Sequence, residues 1–315
     1  MSSSPPAQRQ RSDVEIVRSE IWHPDGSVVL QAGNTQFRVH WSVLSLHSSF
    51  FRGMQGLPQP QDQPSVEGCP IVELSDSVED VKHVLAALYN PLFFAQKALT
   101  LPIIASHIRL GQKYDFTDLL PSIVERLTYE NPTTLDAYEA LKKSRSATRI
   151  VGYRGLNFDT VTLARETNIL SVLPCAYFRV LVCSSPAQIF DGVNRSNGTL
   201  ATLSPIDQRR CSLGRAAILR AQWVYTLGWV REDTEDTSCT DRSACQREKA
   251  SFVLECVGSG KIAAFNPISI ADILTLCPTC NRLSKTKMTE GRQKMWELLP
   301  TFFELPPWSE LKDNI

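Results

Sequence analysis

The stretch that most constrains the fold reads Val28-Val29-Leu30-Gln31-Ala32-Gly33-Asn34-Thr35-Gln36-Phe37-Arg38-Val39. Two five-residue runs flank Gly33-Asn34, and both members of this pair tolerate a positive φ angle. The stretch therefore predicts a β-hairpin. A shorter run over Val14 to Val17 predicts an N-terminal strand. Ile71 to Leu74, after a Pro- and Gln-rich loop over residues 57–64, predicts a further strand.

Helical patterns follow the predicted strands. Ser77 offers an N-cap side chain, and Asp80 is predicted to be its capping-box partner. Apolar positions from Val78 to Leu88 then keep a helical spacing until Asn90-Pro91 ends the run. Two more helices are predicted over residues 103–114 and 116–129. This alternation of strand and helix patterns between residues 14 and 130 indicates a small α+β domain.

Residues 131–315 follow a different pattern. Helices are predicted over residues 161–183, 212–231 and 293–303, and loops over 184–204 and 232–242. No hairpin is predicted after Thr133, so this part is expected to be a mainly α-helical domain. Its apolar C-terminal run, from Trp296 to Trp308, is expected to pack back on the domain, with a docking peptide as the alternative. A helical stripe predicted to be buried comprises Ala216, Leu219, Trp223, Leu227 and Val230.

Composition excludes several classes of protein. The 315 residues are 43% hydrophobic and 21% charged, which is an ordinary globular balance. Thirty-three Lys and Arg cancel thirty-three Asp and Glu, so no net charge draws the chain to nucleic acid or an anionic membrane. Charges interrupt the apolar stretches before they reach the roughly 20 residues of a membrane span. No membrane span is predicted.

The N-terminus and the cysteine content favour a reducing compartment. Residues 1–13 lack the apolar central run of a secretory signal and are expected to form a disordered tail. Nine cysteines in a chain without an export signal are expected to stay free or to bind metal. We therefore expect a cytoplasmic or nuclear location, or both.

Separated blocks within residues 14–130 carry a family resemblance. They are Asp25 to Leu30, Phe37 to His40, Val43-Leu44 with Ser48 to Arg52, Val72 to Asp76, and Leu110 to Leu120. Their order and spacing resemble the BTB/POZ domain, a protein-interaction fold in which helices cap a small sheet. The residues Val66 to Pro70 and Tyr89 to Phe94 look most like fungal BTB proteins, which lack kelch repeats and zinc fingers. Positions predicted to form the core between hairpin and helices are Phe37, Val39, Leu44, Phe50 and Phe51.

The resemblance implies function through a surface. BTB domains commonly homodimerise by exchanging the first strand and packing the first helices across a two-fold axis. By this resemblance the candidate interface residues are Val14, Ile16, Trp41, Val43 and Leu44. For Val43, Leu44 and also Leu46 the alternative is a place in the intramolecular core. The resemblance also gives His40 a packing and hydrogen-bonding role, with a ligand or catalytic base as the alternative.

Some BTB relatives recruit cullin ubiquitin-ligase scaffolds, so a substrate adaptor is an alternative function. Such adaptors tend to carry a hydrophobic-x-Glu element after the second helix, and Met54-Gln55-Gly56-Leu57 lacks it. Ile71-Val72-Glu73 matches this element by letters alone and falls in a predicted strand. The resemblance therefore supports cullin binding less well than homodimerisation.

Four cysteines in the second half have metal-ligand spacing. Cys277 and Cys280 form a C-x2-C pair, and Cys239 and Cys245 form a looser C-x5-C pair. Paired thiolates from two arms are how a tetrahedral structural zinc site is usually assembled. The alternative is that these are ordinary reduced cysteines of a helical core. Structural zinc is the only cofactor that the sequence suggests.

Catalysis and nucleic-acid binding are poorly supported. Gly258-Ser259-Gly260-Lys261 lacks the other residues of a phosphate-binding loop, and no hydrolase or metalloprotease motif occurs. No catalytic residue is assigned. A zinc-containing, transcription-associated regulator that binds nucleic acid is a further alternative, based on a small basic cluster. That cluster comprises Arg282, Lys285, Lys287, Arg292 and Lys294. Such clusters more often form a solvated helix or loop face than a nucleic-acid site.

Overall fold

The protein is described, as a computed structural model, over residues 15–57, 62–90, 92–144, 148–231, 239–259, 262, 265 and 274–315. It forms two compact units. The first runs through residue 96 and adds residues 102–122, and the second comprises residues 97–101 and 123–315. The domain boundary predicted between residues 130 and 131 stays a prediction, because these units are defined by contacts and not by independent folding.

The first unit contains the predicted hairpin. Strands β2 (Val28–Ala32) and β3 (Thr35–Val39) pair antiparallel, with Ala32 opposite Thr35. Gly33 adopts a φ angle of 54° in the turn, a conformation that favours glycine. A five-stranded sheet of order β1-β3-β2-β5-β4 grows from this hairpin. Its other strands are β1 (Val17–Trp22), β4 (Ser65–Val66) and β5 (Cys69–Leu74).

The N-terminal strand lies later in the chain than predicted. Val14 lies outside the described residues, and β1 begins at Val17, where the predicted strand ended. The free edge of β3 decides this register, because the Val17 N–H donates to the Asn34 carbonyl at 2.8 Å and parallel pairing continues to Trp22. The strand residues Arg18 and Glu20 are polar, so local apolar alternation gave no sign of it.

Helices cover the sheet of the first unit. They are α1 (Trp41–His47), α2 (Ser49–Gln55), α3 (Val78–Tyr89), α4 (Leu101–Tyr114) and the start of α5 (Leu120–Glu130). Of the five predicted core positions, Phe50 is wrong because its side chain is 42% exposed on the outer side of α2. The buried core is formed by Val28, Leu30, Ala32, Phe37, Val39, Leu44, Phe51, Val81, Val84, Leu85, Leu110, Tyr114 and Phe116.

Ser77 caps α3 as predicted, since its side chain accepts from the Asp80 N–H. The Asp80 carboxylate turns to α4, where it accepts from the Ser106 hydroxyl at 2.6 Å and from Arg109 at 2.8 Å. These charged and neutral donors together outweigh burial and lower the pKa of Asp80. The residue predicted for capping therefore ties two helices together.

The buried His107 on α4 should make stability depend on pH. Its Nδ1–H donates to the Ile103 carbonyl at 2.8 Å, its buried Nε2 has no hydrogen-bond partner among the residues that the structure describes, and burial lowers its pKa to about 4. Below about pH 6.5 the unfolded state binds a proton that the folded state does not. The free energy of unfolding therefore decreases as the pH is lowered. We expect a loss of about 2 kcal/mol between about pH 7 and pH 5. Urea unfolding should detect it.

Other groups titrate in the same range, so the comparison with His107→Gln isolates this contribution. The variant should have the shallower dependence of unfolding free energy on pH. Equal slopes for the two proteins would show that His107 is not responsible.

The second unit is mostly helical, as predicted. Its helices after α5 are α6 (Leu135–Lys143), α7 (Leu156–Glu166), α8 (Leu173–Cys183), α9 (Pro186–Asp191), α10 (Pro205–Ala221), α11 (Arg242–Ser259), α12 (Pro278–Glu297) and α13 (Leu299–Phe302). Among the described residues, none of the helices combines the length and the hydropathy of a membrane span.

Two expectations for the second unit are wrong. The segment 184–204 contains α9, with a capping box of Ser185 and Gln188, and a small hairpin of β6 (Val193–Asn194) and β7 (Leu200–Ala201). Its strands are too short to produce an alternation pattern. The helix predicted over 212–231 also ends early, since a π-helical turn covers Gln222–Thr226.

The π-helical turn changes the helical phase, so the predicted stripe is confirmed only in part: Leu227 is buried, and Trp223 and Val230 are half-buried against the same cluster. Ala216 is exposed, whereas Gly214 lies against the ring of Phe303, where a Cβ would collide. Buried positions of α10 include Cys211, Gly214, Ile218 and Ala221.

The apolar C-terminal run packs on the helical unit, as predicted. Trp296, Leu299 and Phe303 are buried. The Trp296 indole N–H donates to the Thr133 carbonyl at 2.8 Å, and Trp308 stacks on Trp296 with ring centroids 6.1 Å apart. These contacts make the run part of the core.

Candidate functional site

The first candidate site is an apolar surface at the start of the helical part of unit one. We define the α1 surface as Trp41 and Val43, both half-buried, with Leu46 and Phe50, which are 66% and 42% exposed. Val43 and Leu46 are three residues apart on α1 and therefore share a face. Of the predicted candidates, Val43 therefore shares a face with Leu46, and Trp41 is the half-buried first residue of the same helix.

The remaining predicted interface residues lie elsewhere. Leu44 is fully buried in the core, so it contributes packing instead of surface. Ile16 is 49% exposed just before β1, and Val14 lies outside the described residues. Sequence reasoning assigned Phe50 to the core and missed it as a surface residue, because a single turn of α2 does not reveal which of Phe50 and Phe51 points inward.

His40 fixes the start of α1. Its Nε2 lies 3.2 Å from the Asp25 carboxylate, and its Nδ1 lies 2.9 Å from the Tyr89 hydroxyl. The same hydroxyl accepts the His40 backbone N–H at 2.9 Å, and His23 stacks on Tyr89. Local sequence spacing does not reveal this carboxylate neighbour, which comes from the turn before β2. Since both ring nitrogens contact protein groups, the arrangement supports the packing and hydrogen-bonding role.

The second candidate site is the cysteine cluster, formed by Cys239, Cys245, Cys277 and Cys280. Their sulfur atoms all lie within 4.8 Å of one another. Cys239 Sγ lies 3.8 Å from Cys277 Sγ and 3.6 Å from Cys280 Sγ. The structure therefore brings together all four cysteines that the spacing suggested.

Two helix N-termini meet at the cysteine cluster. Cys245 lies near the start of α11, Cys277 is the N-cap of α12, and Cys280 lies in the first turn of α12. The Cys277 N–H points to Cys245 Sγ at 3.3 Å, and the Cys280 N–H points to Cys277 Sγ at 3.5 Å. The second contact is the main reason that the pKa of Cys277 is lowered to about 6. Helix N-termini and backbone N–H groups stabilise thiolates.

The cysteine cluster can act as a set of four soft metal ligands. A metal at about 2.3 Å from each sulfur of a tetrahedron would hold the sulfurs about 3.8 Å apart. Two of the sulfur–sulfur separations, 3.6 and 3.8 Å, are close to this value. A cavity of about 230 Å³ adjoins the cluster, and its lining includes Arg242 and Lys249. The charged side chains that line this cavity are therefore cations.

The comparisons with known proteins bear on the first unit. Residues 26–130 match the family model of the BTB/POZ domain. The protein carries a BTB/POZ domain. No kelch-repeat or zinc-finger family model matches, and no curated protein matches the chain. BTB domains are protein–protein interaction modules and are not typically enzymes. The particular resemblance to fungal proteins stays a prediction.

Within the BTB domain, Met54-Gln55-Gly56-Leu57 closes α2, and Ile71-Val72-Glu73 lies in β5 as predicted. The alternative of a cullin adaptor therefore gains no new support. The alternative of nucleic-acid binding through the basic cluster gains no new support either. Arg292 pairs with Glu139 at 3.4 Å and Lys294 with Glu297 at 3.2 Å, so two of its five cations already face carboxylates within the helical unit.

Proposed function

We propose that this protein is a protein-interaction module that homodimerises through the α1 surface of its BTB domain. The observation that carries the proposal is the exposure of two large apolar side chains, Leu46 on α1 and Phe50 on α2, with Trp41 and Val43 half-buried on α1. Contiguous exposed apolar side chains mark interaction sites, and large aromatic residues supply much of the binding energy at such sites. A second copy of the chain offers the same surface across a two-fold axis.

The test is the native mass by light scattering across a dilution series. We expect a stable mass near twice 35.2 kDa. Leu46→Glu and Trp41→Ala should each weaken the dimer by about 2 kcal/mol or more, since charge or lost area at the centre of an interface is costly. Leu92→Glu is the matched control, because Leu92 is 72% exposed and lies outside α1 and α2.

A monomer at every concentration would contradict the dimer and would leave the BTB assignment standing. Equal weakening by Leu92→Glu would show that the α1 surface is not the interface. Unchanged far-UV circular dichroism of the monomeric Leu46→Glu protein would confirm that the substitution acts on association and not on folding.

We also propose that the cysteine cluster holds one structural zinc ion. Four sulfur ligands support this proposal: three lie at or near the N-termini of α11 and α12, all four lie within 4.8 Å of one another, and two of the separations suit a tetrahedron. Four protein ligands would leave no open coordination position, so the metal would serve structure instead of catalysis. Elemental analysis of the purified chain should find about one zinc per chain.

A further inference from the structure

We infer that zinc binding is what holds α11 in place, so that this helix folds onto its unit only when the cysteine cluster is loaded. The inference rests on the proposed zinc site. It goes further by assigning the metal a local role in folding and by identifying the segment that depends on it.

The part of α11 whose side chains are described offers little apolar surface with which to dock. Over its described side chains, 242–254, the buried positions are Cys245, Lys249 and Phe252. Their spacing of four and three residues places them on one narrow stripe. Only Phe252 in this stripe is a large hydrocarbon side chain, whereas Leu254 is 75% exposed. Hydrophobic burial of this stripe is small beside the conformational entropy lost on ordering the helix.

The apolar neighbours of Phe252 form a small satellite core, which comprises the buried residues Leu227, Trp229, Phe252 and Leu274. Phe252 stacks on Trp229 with ring centroids 6.2 Å apart. Lys249 also reaches this core, with its Nζ 3.4 Å from the Trp229 carbonyl and 5.7 Å from the ring centroid. Cys245 lies one turn before Lys249. The cysteine cluster therefore contacts the N-terminal end of this stripe, and the satellite core contacts its C-terminal end.

A metal at the cysteine cluster would join segments that are far apart in the chain. Thirty-one residues separate Cys245 from Cys277, and Cys239 and Cys280 extend the connection on both sides. Cross-linking such segments removes conformational freedom from the unfolded chain. Because structural metal sites are rarely formed in unfolded chains, the binding free energy of the metal becomes folding free energy.

The charges around the cluster fit a loaded site. Four thiolates around one Zn²⁺ carry a net charge of about −2. Lys249 and Arg242 line the cavity that also contacts Cys239, Cys245 and Cys280. Their positive charges, with the two helix N-termini, lower the cost of holding this negative charge in a partly buried site.

The other end of α12 has its own apolar anchor. Met295 and Trp296 are buried, and Gly291 lies directly against the backbone of Tyr225. The C-terminal half of α12 should therefore keep its structure without metal. The inference thus predicts loosening that is confined to α11, the satellite core and the first turns of α12.

Hydrogen exchange of the full chain, measured by mass spectrometry with and without a zinc chelator, tests the inference. We expect exchange over residues 242–254 to become at least about tenfold faster after chelation and to recover when zinc is added. Peptides covering residues 291–303 and the BTB domain should not change. Cys245→Ser and Cys280→Ser should reproduce the loosened pattern, while Cys183→Ser, at an exposed cysteine outside the cluster, should not.

The possible outcomes distinguish an incorrect zinc site from an incorrect coupling between zinc binding and α11. If neither the purified nor the zinc-reconstituted chain contains zinc, the proposed zinc site is wrong. If zinc is bound but chelation leaves exchange over 242–254 unchanged, the site stands and the coupling to α11 is wrong. If chelation accelerates exchange equally over residues 291–303, the metal supports the whole unit and the local role is wrong.

Discussion

Removing residues 299–315 is expected to abolish the cooperative unfolding of the helical unit. The deletion takes away the buried side chains of Leu299, Phe303, Leu305 and Leu311. Each large apolar side chain contributes about 1.5–3 kcal/mol when it is fully buried. The summed loss of more than about 5 kcal/mol equals or exceeds the total stability of many domains.

The contacts of the deleted segment explain the size of this effect. The ring of Phe303 lies 5.1 Å from that of Tyr177, in the space that Gly214 leaves open. Asp313 accepts from the Ser171 N–H at 2.8 Å and from the Ser171 hydroxyl at 2.6 Å. The deletion would therefore expose the rings of Tyr177 and Trp296 as well as remove its own side chains.

Thermal unfolding followed by circular dichroism measures the effect. Deletion of Ile315 alone is the control, because this residue is 62% exposed and its loss should leave the melting temperature within about a degree. An unchanged melting temperature for the 299–315 deletion would instead favour the docking-peptide alternative.

Gly291→Ala is expected to destabilise the helical unit by about 3 kcal/mol, the upper end of the range for overpacking. In most exposed helix positions the same change stabilises by up to about 1 kcal/mol, because alanine loses less backbone entropy than glycine. At position 291 the same substitution should lower the free energy of unfolding instead. A Cβ at position 291 would collide with the carbonyl of Tyr225, and it would lie 3.0 Å from Thr226 Cα. These are backbone atoms of the π-helical turn, which cannot rotate away as a side chain can.

Gly53→Ala is the matched control for this prediction. Gly53 lies within α2, and a Cβ there would meet no atom within 4 Å. Urea unfolding should give an unchanged or slightly higher stability for this variant and a clearly lower midpoint for Gly291→Ala. Similar midpoints for the two variants would mean that α12 can move away from the π-helical turn at little cost.

The BTB domain could be predicted in detail because the residues that determine its elements are close together in the sequence. The hairpin of β2 and β3, the N-cap at Ser77 and the end of α3 at Asn90 each depend on a few neighbouring residues, and the structure agrees with them. Predictions failed where a distant strand or helix decides the outcome. The register of β1 depends on β3, and the exposure of Phe50 depends on how α2 packs.

For the candidate sites, the residue types and their spacing already specify which chemistry is present. They include two cysteine pairs with ligand spacing and the aromatic and aliphatic residues of α1. Three features become visible in the folded chain alone: the four sulfurs meet within 4.8 Å, Leu44 faces inward while Leu46 faces solvent, and Asp25 contacts His40. The physical reason is that spacing along the chain fixes local geometry, whereas these contacts join segments whose approach is set by the packing of whole helices and strands.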